Sequence, residues 1–173
     1  LMYIDDEEAD APNVPVDFTS EPVDDPVYDN WKRTNVEAQR QDGFSMVYVR
    51  IERGDIYSNQ WSQLADVSRK YAGSRARFDQ QQNIVYRWVR NESLYDIYLA
   101  LGAIGFSAAG RETIRDVVTC PGTDSCKLGI TSSMGLNKVL GETLDGMGEF
   151  DSLVEKMHIK ASGCPNSCGQ HHI

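Results

Sequence analysis

The chain has 173 residues, of which 40% are hydrophobic, so its length suits one medium domain or two small ones with a real core. Its 17 Lys and Arg against 26 Asp and Glu give a net charge of −9, which argues against nucleic-acid binding. No apolar run reaches the roughly 18 residues that a membrane-spanning helix needs, so no membrane segment is expected.

The negative charge is concentrated at the start of the chain. Residues 1–30 contain ten Asp or Glu, four of the six prolines and no Lys or Arg. Such a composition predicts that residues 1–43 form an acidic, poorly ordered linker; a surface for a basic partner is the alternative.

The start of the chain lacks a secretory signal pattern, and we expect a cytoplasmic protein. A first residue other than Met and an end directly after a cysteine motif indicate a fragment cut at both ends.

Residues 44–105 carry alternating strand and helix patterns. Phe44–Ile51 reads as a strand with Val47, Val49 and Ile51 on one face. A helix is expected over residues 59–72 with Ser58 as its cap, then strands at 75–78 and 84–89, and a helix from about residue 94 to 101. This order predicts an α+β fold with most of a ferredoxin-like unit.

Glycines at 102, 105 and 110 mark a boundary near residue 105, so residues 106–173 are interpreted as a second, incomplete domain. A strand at 117–119 and an extended segment at 159–162 each lead into a cysteine pair. Helices are expected over residues 136–144 and 150–157.

The four cysteines form two close pairs. Cys120 and Cys126 are separated by five residues, Cys164 and Cys168 by three, and 37 residues lie between the pairs. Both pairs lie in loops with Gly and Pro, which allow the sharp turns that bring several thiolates onto one compact iron–sulfur cluster. A four-cysteine zinc site is a weaker alternative, because its pairs mostly have shorter spacing, and two disulfides would need an oxidising compartment.

The motifs Thr119–Cys126 and Ser162–Gln170 resemble the two cysteine motifs of the siroheme-dependent nitrite and sulfite reductases. The preceding unit, with Gln82-Asn83-Ile84-Val85, resembles the ferredoxin-like half-domain of that family. The resemblance implies a ferredoxin-like half-domain at 44–105 followed by an α+β siroheme and 4Fe-4S domain at 106–173 that is truncated at its C-terminus.

The same resemblance implies the ligands and the reaction. Cys120, Cys126, Cys164 and Cys168 would bind one 4Fe-4S cluster, and Cys168 would also bridge to the iron of siroheme. The reaction would be the six-electron reduction of nitrite to ammonium or of sulfite to sulfide, with ferredoxin or a flavoprotein as electron donor. In the family, the basic residues that grip the substrate anion lie in the earlier half of the protein, so no catalytic residue is assigned in this chain.

Supporting residues follow from the chemistry of siroheme, a polycarboxylate that needs cationic and amide donors. Arginine binds carboxylates at two points, so arginines are candidate siroheme ligands. Arg77 is the arginine predicted to bind the cofactor. The full set of candidates is Arg75, Arg77, Arg87, Arg90, Arg111 and Arg115. Asn166 is expected to donate to the cofactor, or else to stabilise its own turn. Lys127, directly after Cys126, is a candidate to temper the negative charge of a cluster, with an ordinary surface role as the alternative. His171 and His172 are weak candidates for proton donors, and Tyr86 and Trp88 are expected in the core.

Two other function classes remain open from the sequence. One is a non-catalytic electron-transfer module with a bare iron–sulfur cluster, and the other is a zinc-stabilised binding domain.

Overall fold

The computed structural model describes residues 18–22 and 24–172. The elements follow in the order α1 (Pro26–Asn35), β1 (Val36–Ala38), β2 (Phe44–Val49), α2 (Ser58–Tyr71), β3 (Arg77–Phe78), β4 (Ile84–Arg90), α3 (Leu94–Ala103), β5 (Val118–Thr119), α4 (Ser133–Gly146), α5 (Ser152–Glu155) and β6 (Lys160–Ala161). The mixture of helices and sheet confirms the predicted α+β class.

The first unit is a four-stranded antiparallel sheet in the order β1-β2-β4-β3. The helices α1, α2 and α3 contribute Trp31, Leu64 and Ile97 to a core that also contains the inward side chains of β2 and β4. Val47, Val49 and Ile51 all lie in this core, as their alternation predicted.

The predicted linker at residues 1–43 is wrong for residues 26–38, which form α1 and β1. Asp25 caps the helix by accepting the backbone N–H groups of Val27 and Tyr28. Tyr28 and Trp31 are 1% and 0% exposed. Burial of these two aromatic rings outweighs the unfavourable local charge, which composition alone did not reveal. The part of the linker prediction at residues 1–17 lies outside the described residues.

The strand β4 contains a bulge that switches the faces of its side chains. Ser45 pairs with Val89 and Val47 with Tyr86, so two residues, Arg87 and Trp88, oppose one residue of β2. Trp88 has a φ of 62°, in the left-handed region. Tyr86 lies in the main core, as predicted, whereas Trp88 is buried on the opposite face against Phe44, with ring centroids 5.4 Å apart. The prediction that Trp88 is buried is therefore confirmed, on the sheet face opposite to Tyr86.

The second unit is smaller and joins two short strands. β5 and β6 pair in parallel, with Val118 opposite Lys160 and Thr119 opposite Ala161. Ile114, Val117 and Leu144 form its buried apolar cluster. α4 is longer than predicted, and α5 covers only four of the eight residues expected at 150–157. Phe106 still packs in the first core, so the boundary near residue 105 stays a prediction.

Among the described residues, no helix has both the length and the apolar composition to cross a membrane.

Candidate functional site

The parallel pair β5 and β6 brings the two cysteine loops side by side. β5 ends at Thr119, directly before Cys120, and β6 ends at Ala161, three residues before Cys164. The N–H of Cys120 donates to the carbonyl of Ala161 at 3.3 Å. Loops far apart in sequence are therefore adjacent in the structure, because parallel strands carry their following residues to the same edge.

Glycines lock the two loops together by their backbones. The carbonyl of Gly163 accepts the N–H groups of Ile130 and Thr131 at 2.9 and 3.1 Å. A Cβ at Gly163 would lie 2.7 Å from the carbonyl oxygen of Thr131 and 2.9 Å from the Cα of Gly122. Only a residue without a side chain fits this contact, so Gly163 is required for the loops to meet.

Cys120 is the buried member of the four free thiols. Its sulfur accepts the N–H of Gly163 at 3.2 Å and lies 3.3 Å from the hydroxyl of Ser133, which also donates to the carbonyl of Cys120 at 2.6 Å. The Gly163 N–H, followed by Ser133, lowers the pKa of the Cys120 thiol against the opposing effect of burial. This environment favours a thiolate, the form that binds metal.

The other three thiols are more accessible. Cys126 and Cys164 are half-buried and Cys168 is exposed. Within residues 18–22 and 24–172, no three or more His, Cys, Asp or Glu side chains are gathered as a ready-made metal site. The loops therefore adjoin, while the four thiols do not converge on one point. The donor set itself, four free thiols on two interlocked glycine-rich loops, fits an iron–sulfur cluster chemically.

Arginines and aromatic rings cover the sheet face opposite the helices. Arg75, Arg77 and Arg87 line a cavity of about 280 Å³ together with Trp88. The bulge in β4 places Arg87 and Trp88 on this face, with the guanidinium 5.9 Å from the ring centroid. The structure thus brings three of the six candidate arginines into one cavity.

Two further candidate arginines lie over aromatic rings of the same sheet. Arg90 is 5.4 Å from the Phe44 centroid and Arg111 is 3.5 Å from the Tyr48 centroid. Arg111 also pairs with Glu37 at 2.5 Å. Burial acts to raise the pKa of Glu37, but the hydrogen bonds from Arg111 and Tyr48 outweigh it and lower the pKa.

Arg115 does not belong to this cavity. It donates to the carbonyls of Leu144 and Gly148, pairs with Asp145 at 3.0 Å and lies over the Phe150 ring. These contacts hold the end of α4, so a structural role explains Arg115 without a cofactor.

The remaining predicted residues are on the surface. Asn166 and Lys127 are exposed. His171 and His172 are also exposed. Nδ1 of His171 is 2.9 Å from the Ser167 hydroxyl, and the centroids of the two histidine rings lie 4.0 Å apart at a tilted angle. None of these contacts assigns a role, so donation from Asn166 to the cofactor stays a prediction.

Sequence reasoning missed Ser133 and the role of Gln82. Ser133 is buried at the start of α4 and touches Cys120, although it lies 13 residues further along the chain. Gln82 donates to the carbonyl of Thr119 at 2.9 Å. A Ser before a predicted helix was visible in the sequence, but no local pattern connects it to a cysteine.

Comparison with known proteins finds a matching family model and several related sequences. Residues 37–104 match the family described as the nitrite/sulfite reductase ferredoxin-like half domain. The chloroplastic ferredoxin–nitrite reductase of Oryza sativa is 26% identical over 146 residues, covering 83% of this chain and 24% of that protein. Sulfite reductase [ferredoxin] 1 of Mycolicibacterium paratuberculosis is 23% identical over 135 residues, covering 77% of this chain and 24% of that protein.

The solved structure of the Mycobacterium tuberculosis NirA protein has the same fold, with a TM-score of 0.61 at 23% identity. The alignment covers 90% of this chain and 28% of NirA. The chain thus spans about a quarter of the length of the relatives that it matches. Residues 37–104 thus match the ferredoxin-like half domain of the nitrite/sulfite reductases.

Proposed function

We propose that this chain is part of a siroheme- and 4Fe-4S-dependent reductase that reduces nitrite to ammonium or sulfite to sulfide. One observation carries the proposal: two loops that hold four free thiols are joined by their backbone hydrogen bonds. The sheet of the same chain also carries an arginine-lined cavity. The relationship to nitrite and sulfite reductases supports it. Which of the two anions is reduced is left to experiment.

The cysteines would hold the cluster. Cys120, Cys126, Cys164 and Cys168 are its proposed ligands, and Cys168 is the proposed shared ligand of the siroheme iron. When bound, the two cofactors supply the electron-transfer chemistry and the open iron site for the substrate anion.

The protein's own groups prepare the site for thiolates. The N–H of Gly163 donates to the sulfur of Cys120, and the hydroxyl oxygen of Ser133 lies 3.3 Å from that sulfur. Hydrogen bonds to a cluster-binding sulfur stabilise its negative charge and tune the reduction potential. We assign this role to Gly163, with Ser133 packed beside the sulfur.

The arginine cavity would receive carboxylates of siroheme. Arg77 is the central candidate, since it lies on β3 between Arg75 and the turn that contacts the cysteine loops. Bidentate pairing of guanidinium with carboxylate gives both charge neutralisation and orientation. Trp88 offers a flat apolar surface in the same cavity. Asn166 remains the proposed amide donor in the second cysteine loop.

The electron donor and the cellular location are also proposals. Names of the relatives include ferredoxin–nitrite reductase and nitrite reductase [NAD(P)H]. We propose ferredoxin or a flavoprotein as donor and a cytoplasmic location. The groups that grip the substrate anion are expected outside these residues.

Metal analysis combined with absorption spectra tests the proposal. The chain is reconstituted anaerobically with ferrous iron and sulfide, and iron, labile sulfide and zinc are counted per chain. We expect about four irons and four sulfides. Zinc without sulfide would instead identify a structural zinc site, and zero metal under all conditions would refute cluster binding.

Substitution of single cysteines tests their separate roles in the protein carrying this chain and siroheme. Cys120→Ser should abolish iron and sulfide uptake. Cys168→Ser should disrupt the cluster and also remove its coupling to siroheme, seen as lost spectroscopic interaction between the two centres. Ser167→Ala, next to Cys168, is the matched control. Full coupling in Cys168→Ser would disprove the bridging role.

A further inference from the structure

The turn between β3 and β4, residues 79–83, is built as a rigid unit. The carboxylate of Asp79 accepts the N–H groups of Gln81 and Asn83 at 2.9 and 2.8 Å. The N–H of Asp79 donates to the carbonyl of Asn83 at 3.1 Å, and Gln82 has a φ of 70°. A side-chain carboxylate that closes its own turn in this way restricts the directions of the residues that follow.

This turn contacts the first cysteine loop through one side chain. The side-chain amide Nε2 of Gln82 donates to the backbone carbonyl of Thr119 at 2.9 Å. Thr119 is 1% exposed and directly precedes Cys120. A buried carbonyl needs a partner, so the Gln82 amide fixes the orientation of the peptide that leads into Cys120.

The same turn also touches the second cysteine loop. The side chain of Gln170, two residues after Cys168, donates to the carbonyl of Gln80 at 3.4 Å. One element of the half domain therefore contacts both loops. The contact to Gln170 is longer and more exposed than that to Thr119, which makes Gln82 the stronger of the two connections.

Buried hydrogen bonds anchor the turn on both sides. Asn83, which is 0% exposed, accepts the N–H of Ile51 at 2.9 Å and donates to the carboxylate of Asp116 at 3.0 Å. Asp116 lies in the segment that enters β5. Gln82 is supported by Gly54, where an added Cβ would lie 3.2 Å from the Cβ and from Oε1 of Gln82.

We propose that the turn at residues 79–83 positions the cysteine loops, and that Gln82 is the positioning residue for Cys120. The half domain thereby sets the geometry of a site that lies almost 40 residues later in the chain. The functional meaning of this role rests on the proposed cluster, but the positioning itself does not.

Pulse alkylation of the cluster-free chain tests the positioning directly. Native protein is exposed briefly to iodoacetamide, and modification of each cysteine is measured by mass spectrometry. In Gln82→Ala we expect Cys120 to be labelled about fivefold faster than in the unsubstituted chain, because loss of a hydrogen bond of ordinary strength favours local opening. Labelling of the exposed Cys168 should be unchanged.

Two variants separate positioning from general damage. Gln82→Met keeps the size of the side chain against Gly54 but lacks the donor, and it should accelerate labelling of Cys120 as Gln82→Ala does. Gln81→Ala is the matched control, since the described structure gives the Gln81 side chain no hydrogen bond. Urea unfolding identifies any variant whose whole fold is destabilised. If Gln82→Ala is destabilised in this way, the labelling rate of Cys120 in Gln82→Met is the result that tests the positioning role.

Labelling of Cys120 at the original rate in Gln82→Met would overturn the proposal, as would equal acceleration in Gln81→Ala. With a reconstituted cluster, Gln82→Met should also release iron to a chelator several-fold faster. If the chain takes up no cluster at all, the alkylation result still stands, so failure of the proposed function and failure of the positioning role remain distinguishable.

Discussion

The ferredoxin-like half domain and the cysteine region are held together by different forces. Among the described residues, sixteen buried side chains form the core of the first, whereas three form that of the second. The strands of the half domain reach seven residues, whereas β5 and β6 have two each. The half domain is stabilised by packing of apolar side chains, and the cysteine region by glycine-tight backbone contacts and by docking onto the half domain.

This contrast suits a site that must present thiols. A large apolar core around the cysteines would bury them away from a cofactor, and Cys168 is in fact exposed. A small region without its own large core can keep such groups open only if a stable neighbour supports it. The contact between Gln82 and Thr119 is one such support.

Trp31→Ala is expected to cause the largest loss of stability, because it removes a side chain from the larger of the two apolar cores. Trp31 is 0% exposed and contacts the rings of Tyr28 and Tyr98. Truncation of a buried Trp costs about 3–5 kcal/mol of unfolding free energy. Urea unfolding measures the loss. Trp61→Ala, at a site 44% exposed, should cost under about 1 kcal/mol, and equal losses would contradict the assigned core.

Gly163→Ala tests the backbone contacts of the cysteine region. The new methyl group would collide with the carbonyl of Thr131 and the backbone of Gly122. Overpacking of this kind costs about 1–3 kcal/mol. Hydrogen exchange should accelerate in residues 118–131 and stay slow in β2 and β4. Uniform acceleration over both regions would show that they are not separately held.

Asp116→Asn tests the electrostatics of the junction between the regions. Burial raises the pKa of Asp116, against the hydrogen bonds from Glu112 and Asn83. The folded state thus holds this proton more tightly than the unfolded state, and the contribution of Asp116 to stability falls as pH rises from about 3.8 through the raised folded pKa. The neutral amide should remove this slope and leave the variant at least as stable at pH 7. Parallel curves of stability against pH would refute the assignment.

Gly141→Ala should have the smallest effect, with the opposite sign. Gly141 lies inside α4, and a Cβ there meets nothing within 4 Å. Ala lowers the entropy of the unfolded chain, so stability should rise by about 0.5–1 kcal/mol. Thermal unfolding monitored by circular dichroism measures the shift, and a loss of stability would show that α4 has no room at this position.

Local patterns in the sequence predicted much of the architecture. Alternation in residues 44–51 assigned Val47, Val49 and Ile51 to the core, and the spacing of Cys120, Cys126, Cys164 and Cys168 indicated two related loops. The α2 helix was displaced by one residue only, because Gln60 bonds back to the N–H of Tyr57 and starts the helix at Ser58. Periodicity and turn residues carry this information, since both arise from neighbours in the chain.

Only the tertiary structure decided which groups meet across long stretches of sequence. The bulge at Arg87 and Trp88 depends on pairing with β2, and it turns both side chains to the arginine-lined face. The contact of Gly163 with the sulfur of Cys120 and the bond from Gln82 to Thr119 join residues 37 or more positions apart, and the burial of α1 likewise depends on packing against the sheet. Packing and loop closure, rather than local propensity, set such contacts, and the environment of each cysteine follows from them.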